Sequence, residues 1–156
     1  MKTERTTAPD LADPPGYYIR RLHQIAVAIF LQETEAHGLT PVQYAALSKV
    51  GLTPGVDQRT LARSIGLDTS TIAGVVDRLE ARGLMQRQPS LEDRRVRLLS
   101  LTQDGRNLLR AIEPDMLRAQ QRILQPLPAA ERDAFMRMLR KLVTANNSAS
   151  RAPSEA

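Results

Sequence analysis

The chain of 156 residues has no cysteine and no tryptophan, only two histidines, and 3% aromatic residues. Without cysteine, disulfides, thiolate-held metals and thiol redox sensing are excluded. His23 and His37 are too few and too far apart to form a histidine-rich metal site, so no metal is expected. No apolar run approaches the ~20 residues needed to span a bilayer. The opening "MKTERTTAPD" lacks the apolar centre of a signal peptide, so the expected location is cytoplasmic, with no membrane partner. Ser64, Ser70 and Ser100 have no recognisable base partner, and no glycine-rich phosphate loop precedes a helix. Neither an enzyme nor a cofactor is therefore expected. Lysine is scarce too: of 22 basic residues, only Lys2, Lys49 and Lys141 are lysine.

The arginines that remain give a formal net charge of +5. Guanidinium forks suit phosphates and guanine edges, although arginine-favouring codon usage produces the same bias. The length fits one compact domain. With 42% hydrophobic and 25% charged residues the chain should fold and dissolve. With so few rings, the core must be built from Leu, Ile, Val, Ala and Met.

Residues 1–15 are polar and hold Pro9, Pro14 and Pro15, which reads as a flexible tail, as does the stretch 147–156. Between them the pattern is mostly helical. From Tyr17 to His37, Leu22, Ile25, Ala26, Ile29 and Phe30 recur at steps of three and four, and Gly38 ends the run. "TPVQ" (Thr40 to Gln43) is a capping box with proline at the first helical position. Asp57 can cap a short helix holding Leu61, Ala62 and Ile65. After a tight turn at Gly66, Asp68 or Thr69 can cap a second, with Ile72, Val75, Val76 and Leu79 on its buried face, closed by Gly83. Two short helices joined by a glycine turn are a helix-turn-helix unit. "LMQRQ" and "VRLLSLT" then read as two strands about the turn Pro89 to Arg94. A long helical stretch from Thr102 to Leu124 contains Pro114, which should bend or restart it. A last helix carries the stripe Phe135, Met138, Leu139, Leu142 and Val143.

A helix-turn-helix followed by a charged hairpin makes a winged helix. Its second helix suits a major groove about 12 Å wide, and its hairpin tip suits a minor groove, where negative potential attracts arginine. The tip "SLEDRRVR" offers Arg94, Arg95 and Arg97. Arg94 or Arg95 would probe the groove or grip phosphate, with Asp93 holding a neighbouring guanidinium. A solvated turn with surface ion pairs is the plainer alternative. On the second helix, Thr69, Ser70 and Thr71 suit phosphate contacts near a helix N-terminus, and Arg78 faces outward. Gly74 costs the helix about 1 kcal/mol against alanine. Either close approach to DNA or close packing on a neighbouring helix would account for it.

The segments "LTPVQYAAL", "TLARSIGLDTSTIAGVVDRLEARGLMQR" and "DRRVRLLSLTQDG" resemble the MarR family of bacterial transcription regulators. The last carries the family's wing pattern in Asp93, Arg95, Leu99, Leu101, Thr102 and Gly105. Two departures stand out: the family often has Asp where Ser90 stands, which would loosen the hairpin, and a polar or basic residue at Ala73 or Gly74. The resemblance, over roughly 17–146, implies a mainly α winged helix-turn-helix fold with a two-stranded wing and N- and C-terminal dimerisation helices. The implied single domain is 16–146, with 39–102 binding DNA and 16–37 and 103–146 pairing two protomers. It further implies a homodimer on a pseudo-palindromic double-stranded operator, usually a repressor released by a small ligand.

"YYIRRLHQ" places Tyr17, Arg20 and His23 one turn apart on one helix face. A cation and a histidine beside rings can hold an aromatic carboxylate; ordinary interface contacts are the alternative. In the family the pocket lies between the first helix, the second helix and the winged-helix body, which adds Tyr44. This first-helix stretch also resembles that of members controlling breakdown of aromatic or N-heteroaromatic acids. The expected function is a ligand-released repressor of a catabolic or efflux operon. A ligand-independent architectural DNA-binding protein and a small-molecule-modifying enzyme are the alternatives.

Overall fold

A computed structural model describes residues 13–154; most of the N-terminal tail expected over 1–15 lies outside them. The order is α1 (Pro15–Glu33), α2 (Pro41–Leu52), β1 (Val56–Asp57), α3 (Gln58–Ser64), α4 (Thr69–Ala81), β2 (Met85–Pro89), β3 (Arg97–Leu101), α5 (Gln103–Leu124) and α6 (Ala129–Asn146), with short 3-10 turns at Glu35–His37 and Asn147–Ala149. The fold is mainly helical with a small antiparallel sheet, the winged-helix architecture expected.

The caps set the helix starts. Thr40 and Gln43 form the reciprocal capping box of α2, Asp57 caps α3 through Thr60, and Asp68, not Thr69, caps α4 through Thr71. Gly38, Gly66 and Gly83 take the left-handed conformation that lets the chain turn after α1, α3 and α4. Leu47 of α2, Leu61 of α3, Ile72 and Leu79 of α4, Leu99 of β3 and Ile112 of α5 are fully buried together, so the helix-turn-helix, wing and long helix share one core.

Two expectations need correction. The first helix stops at Glu33 rather than His37, because buried Thr34 donates its hydroxyl to the Phe30 carbonyl at 2.8 Å and the chain tightens into a 3-10 turn. Of the bend or restart expected at Pro114, the restart does not occur: α5 is continuous from Gln103 to Leu124. Pro114 and Arg110 are both exposed, so the carbonyl that proline leaves unbonded lies on the solvent side. The two-stranded wing stands as expected, and a further strand, β1, joins it in a sheet of order β1-β3-β2. Val56 pairs with Leu99 and Asp57 with Leu98, beside the hairpin register Met85–Leu101 to Pro89–Arg97. A strand of two residues carries no alternation to be read from sequence.

A polar strut ties the helix-turn-helix to the long helix. Arg82, just past α4, donates to the carbonyls of Gly38 at 2.7 Å and His37 at 3.1 Å. The His37 ring meets Asp115 of α5 at 2.7 Å and holds that carboxyl below its ordinary range. Arg118 bonds Asp115, and Arg118 and Arg122 both bond Glu33 of α1, at 3.2 and 2.6 Å.

Outside the core lies an apolar band. Tyr17, Tyr18, Ile19 and Ile25 on α1 and Met138, Leu142 and Val143 on α6 are each between 44% and 60% exposed, and no residue of α6 is buried.

Candidate nucleic-acid interface

The N-terminus of α4 is built around one carboxylate. Asp68 accepts from the Thr71 backbone N–H at 2.7 Å, the Ser70 hydroxyl at 2.7 Å and the Thr71 hydroxyl at 2.9 Å. These bonds, the Thr71 N–H first, hold its pKa down at about 2. The hydroxyl protons of Ser70 and Thr71, expected to reach phosphate, are thus committed to the cap in the free protein; the exposed Thr69 hydroxyl is not. Gly74 is not packed on another helix: a Cβ there would meet only the Arg78 guanidinium, at 3.9 Å. This removes the packing explanation and leaves an open surface beside Arg78, which is exposed and whose side chain makes no hydrogen bond or ion pair among the described residues.

At the wing, Asp93 does not hold a guanidinium. Its carboxylate accepts from the Arg95 backbone N–H at 3.0 Å, and its carbonyl accepts from Val96 N–H at 3.0 Å. The residue therefore shapes the turn and leaves the arginines unengaged. The loosening expected at Ser90 is absent: its hydroxyl accepts from Glu92 N–H at 3.2 Å, and its own N–H donates to the Val96 carbonyl at 2.9 Å. Arg94, Arg95 and Arg97 are exposed, and none makes a hydrogen bond or ion pair through its side chain among the described residues.

The wing faces the helix-turn-helix across a cleft of about 680 Å³ that Arg59, Arg63, Thr69, Arg95 and Arg97 line. Arg59 and Arg63 were missed by the sequence reading. They lie on the short α3, whose apolar residues drew attention while its exposed arginines looked like ordinary surface. Also missed was Arg87 of β2, which braces the cleft. It bonds Asp77 and, at 3.4 Å, Glu80 of α4, and reaches Gln58 of α3 at 3.5 Å. Burial opposes its charge, but the two carboxylates outweigh that and raise its pKa. The bond also offsets part of the charge of Asp77 on the face that carries Arg78.

The four residues expected to hold a ligand are not together within one protomer. The Arg20 guanidinium lies 5.5 Å from the centre of the exposed Tyr17 ring. His23 lines a separate, mostly apolar groove of about 470 Å³ with Ile19, Leu22, Phe135 and Leu139. Tyr44, its ring 6.1 Å from Phe30, lines a third space of about 370 Å³ with Ser48, Leu101, Arg106, Arg110 and Glu113. There Arg106 is spent on the Leu101 carbonyl and the Gln103 side chain, both at 2.9 Å. Arg110 makes no such bond among the described residues and is the free cation of that cavity. Sequence reasoning passed over it because it looks like one more exposed arginine on a polar helix face.

Known proteins share this arrangement. The sequence profile of the MarR family matches residues 39–96. The HTH-type transcriptional repressor NicR of Pseudomonas putida is 32% identical over 154 residues, 95% of this chain and 98% of NicR. Among solved structures, BpsR of Bordetella bronchiseptica, whose DNA binding is regulated by 6-hydroxynicotinic acid, superposes with a TM-score of 0.80 at 31% identity, over 86% of this chain and 96% of BpsR. The transcriptional repressor CouR, bound to a 23-mer DNA duplex, gives 0.80 at 30% identity over the same shares, 86% and 96%. With its helix-turn-helix, wing and flanking helices matched in sequence and in space, the chain belongs to the MarR family of transcription regulators.

Proposed function

We propose that this protein is a homodimeric, cytoplasmic repressor, not an enzyme, that binds a pseudo-palindromic operator and releases it when a small aromatic carboxylate binds, N-heteroaromatic acids included. Its targets would be a catabolic or efflux operon. The observation that carries the DNA-binding part is the cleft between wing and helix-turn-helix, lined by Arg59, Arg63, Arg95 and Arg97. In this reading α4 enters the major groove with Thr69, Ser70, Thr71, Gly74 and Arg78, while Arg94, Arg95 and Arg97 serve the minor groove and phosphates. Asp93 sets the turn that presents them. The second protomer covers the apolar band of α1 and α6, which a soluble monomer would leave in water.

For the ligand, the Tyr44 cavity offers the chemistry an aromatic acid needs: a ring to lie against, the Ser48 hydroxyl, and the free Arg110 guanidinium for the carboxylate. Tyr17, Arg20 and His23 belong to the helix that a second protomer covers, and in the dimer they would close the site from that side. The likeness to NicR and to the 6-hydroxynicotinic acid-regulated BpsR supports this ligand class. Release requires only that the acid bind the DNA-incompetent form more tightly. A tenfold fall in operator affinity corresponds to about 1.4 kcal/mol, within reach of one charged contact. The test is a thermal-shift screen with nicotinate, 6-hydroxynicotinate, 4-hydroxybenzoate and the neutral nicotinamide, followed by DNA release. Acids should stabilise the protein and release DNA, and nicotinamide should not. Arg110→Ala and Arg20→Ala should blunt the response while DNA binding persists. An acid that acts equally on parent and both variants would place the site elsewhere.

A further inference from the structure

Past α6 the chain does not trail away. Asn147 clamps the segment that follows it: its side-chain amide donates to the Ser154 carbonyl at 2.7 Å and accepts from the Ser154 N–H at 3.0 Å. Within that loop Ser150 N–H donates to the Asn147 carbonyl at 3.1 Å, and Ala152 N–H to the Ser150 hydroxyl at 3.1 Å. The resulting hook is seated on the helix-turn-helix. Gly66, at φ 70°, makes the turn between α3 and α4, and a Cβ there would lie 3.8 Å from both the Ala152 carbonyl oxygen and Ser154 Cβ. Burial alternates along the hook: Ala152 and Ser154 are half-buried, whereas Arg151 and Pro153 are exposed. The alternation turns Arg151 outward.

The space under the hook, about 470 Å³, is lined by Arg151 together with Arg59, Arg63 and Thr69. Those last three also line the cleft between wing and helix-turn-helix. The hook thus extends the basic face without a break and brings a third guanidinium to two already there. Among the described residues, the acid that lines this space, Asp68, is engaged by its own helix start. Arg151 makes no hydrogen bond or ion pair among the described residues. On the DNA-binding reading above, an exposed and unengaged guanidinium continuous with that cleft is placed to meet a backbone phosphate.

We propose that the C-terminal hook is part of the DNA interface, and that Arg151 grips a backbone phosphate flanking the groove that α4 enters. The contact is to phosphate, so it is independent of sequence, and the test needs no knowledge of the operator. A short random-sequence duplex is titrated by fluorescence anisotropy at salt concentrations from about 50 to 200 mM. The full chain is compared with Arg151→Ala, Arg151→Lys and a chain ending at Ala149, each checked for parental melting. One neutralised phosphate contributes about 0.9 to the slope of log K against log salt. Arg151→Ala and the shortened chain should both show a slope smaller by about that much per protomer, while Arg151→Lys keeps it. An unchanged slope in Arg151→Ala would overturn the proposal, even if the shortened chain binds more weakly, because the hook would then only brace the fold. Tighter binding by the shortened chain would overturn it too, marking the hook as a lid over the start of α4.

Discussion

Gly105 stands third in α5, where helix propensity alone says that alanine should gain about 1 kcal/mol. The packing says the reverse. A Cβ at this position would lie 2.1 Å from the Leu84 carbonyl oxygen and 3.1 Å from its carbon. Both are backbone atoms of a buried residue and cannot swing aside as a side-chain end would. Relief needs a shift of roughly 1 Å between α5 and the start of β2, given that ordinary carbon–oxygen contacts lie beyond 3 Å. That shift strains two bonds at once: Thr102 N–H to the Leu84 carbonyl at 3.1 Å, and Gly105 N–H to the Thr102 hydroxyl that caps α5, also at 3.1 Å. Overpacking costs about 1–3 kcal/mol, and a strained buried hydrogen bond and a weakened cap about 1 kcal/mol each. Set against the propensity gain, Gly105→Ala should destabilise the protein by about 3 kcal/mol. For a chain of this size that is a fall in Tm of about 10 °C, at 2–4 °C per kcal/mol. Differential scanning calorimetry reads it directly. Because the junction also sets the base of the wing, DNA affinity should fall as well. A Tm equal to or above that of the parent would refute the packing argument.

The other predictions concern the DNA face and the assembly. Arg94→Ala and Arg95→Ala should each weaken DNA binding with melting unchanged, and should lower its salt dependence by about 0.9 per protomer for every phosphate the arginine neutralises; parental binding by both in a gel-shift titration would remove the wing from the interface. Light scattering should find a dimer at micromolar concentration, and Leu142→Glu with Val143→Glu should give monomers that no longer bind DNA tightly; a monomeric parent would contradict the covered-band argument. Asp68 titrates near 2 in the folded protein and near 4 when unfolded. The unfolded chain therefore takes up the proton first on acidification, and the cap's contribution, full above about pH 4, is lost as pH falls through about 2. Asp68→Asn, which can still cap but does not titrate, should flatten that part of the stability–pH curve; an unchanged curve would mean that Asp68 is not the group responsible.

What was legible in the sequence was whatever repeats or caps locally. The Thr40–Gln43 box, the caps Asp57 and Asp68 and the turns at Gly38, Gly66 and Gly83 each act within a few residues, and each stands where the residues placed it. Periodicity found the helices, but Pro114 was given more weight than its exposed position allows. β1 escaped notice because two residues have no period. Gly105 was recognised only as part of a wing pattern, and its reason, the Leu84 carbonyl, lies across a strand–helix junction that sequence does not display. The same holds for charged partners: Asp93 was expected to hold a guanidinium and instead holds backbone, while Arg87, unremarked, gathers Asp77, Glu80 and Gln58 from two helices. Tyr17, Arg20 and His23 share a helix face that suggested one site, and the family resemblance added Tyr44, yet one protomer spreads the four over three places. Which groups a dimer reunites is a property of the assembly, not of local spacing.

The most direct test of the account is a footprint of the dimer on the promoter region beside its own gene, repeated with increasing aromatic acid. The account predicts two protected half-sites about one helical turn apart, related by two-fold symmetry, with protection that fades as 6-hydroxynicotinate or a related acid is added. Protection without half-site symmetry, or protection that no aromatic carboxylate disturbs, would contradict it.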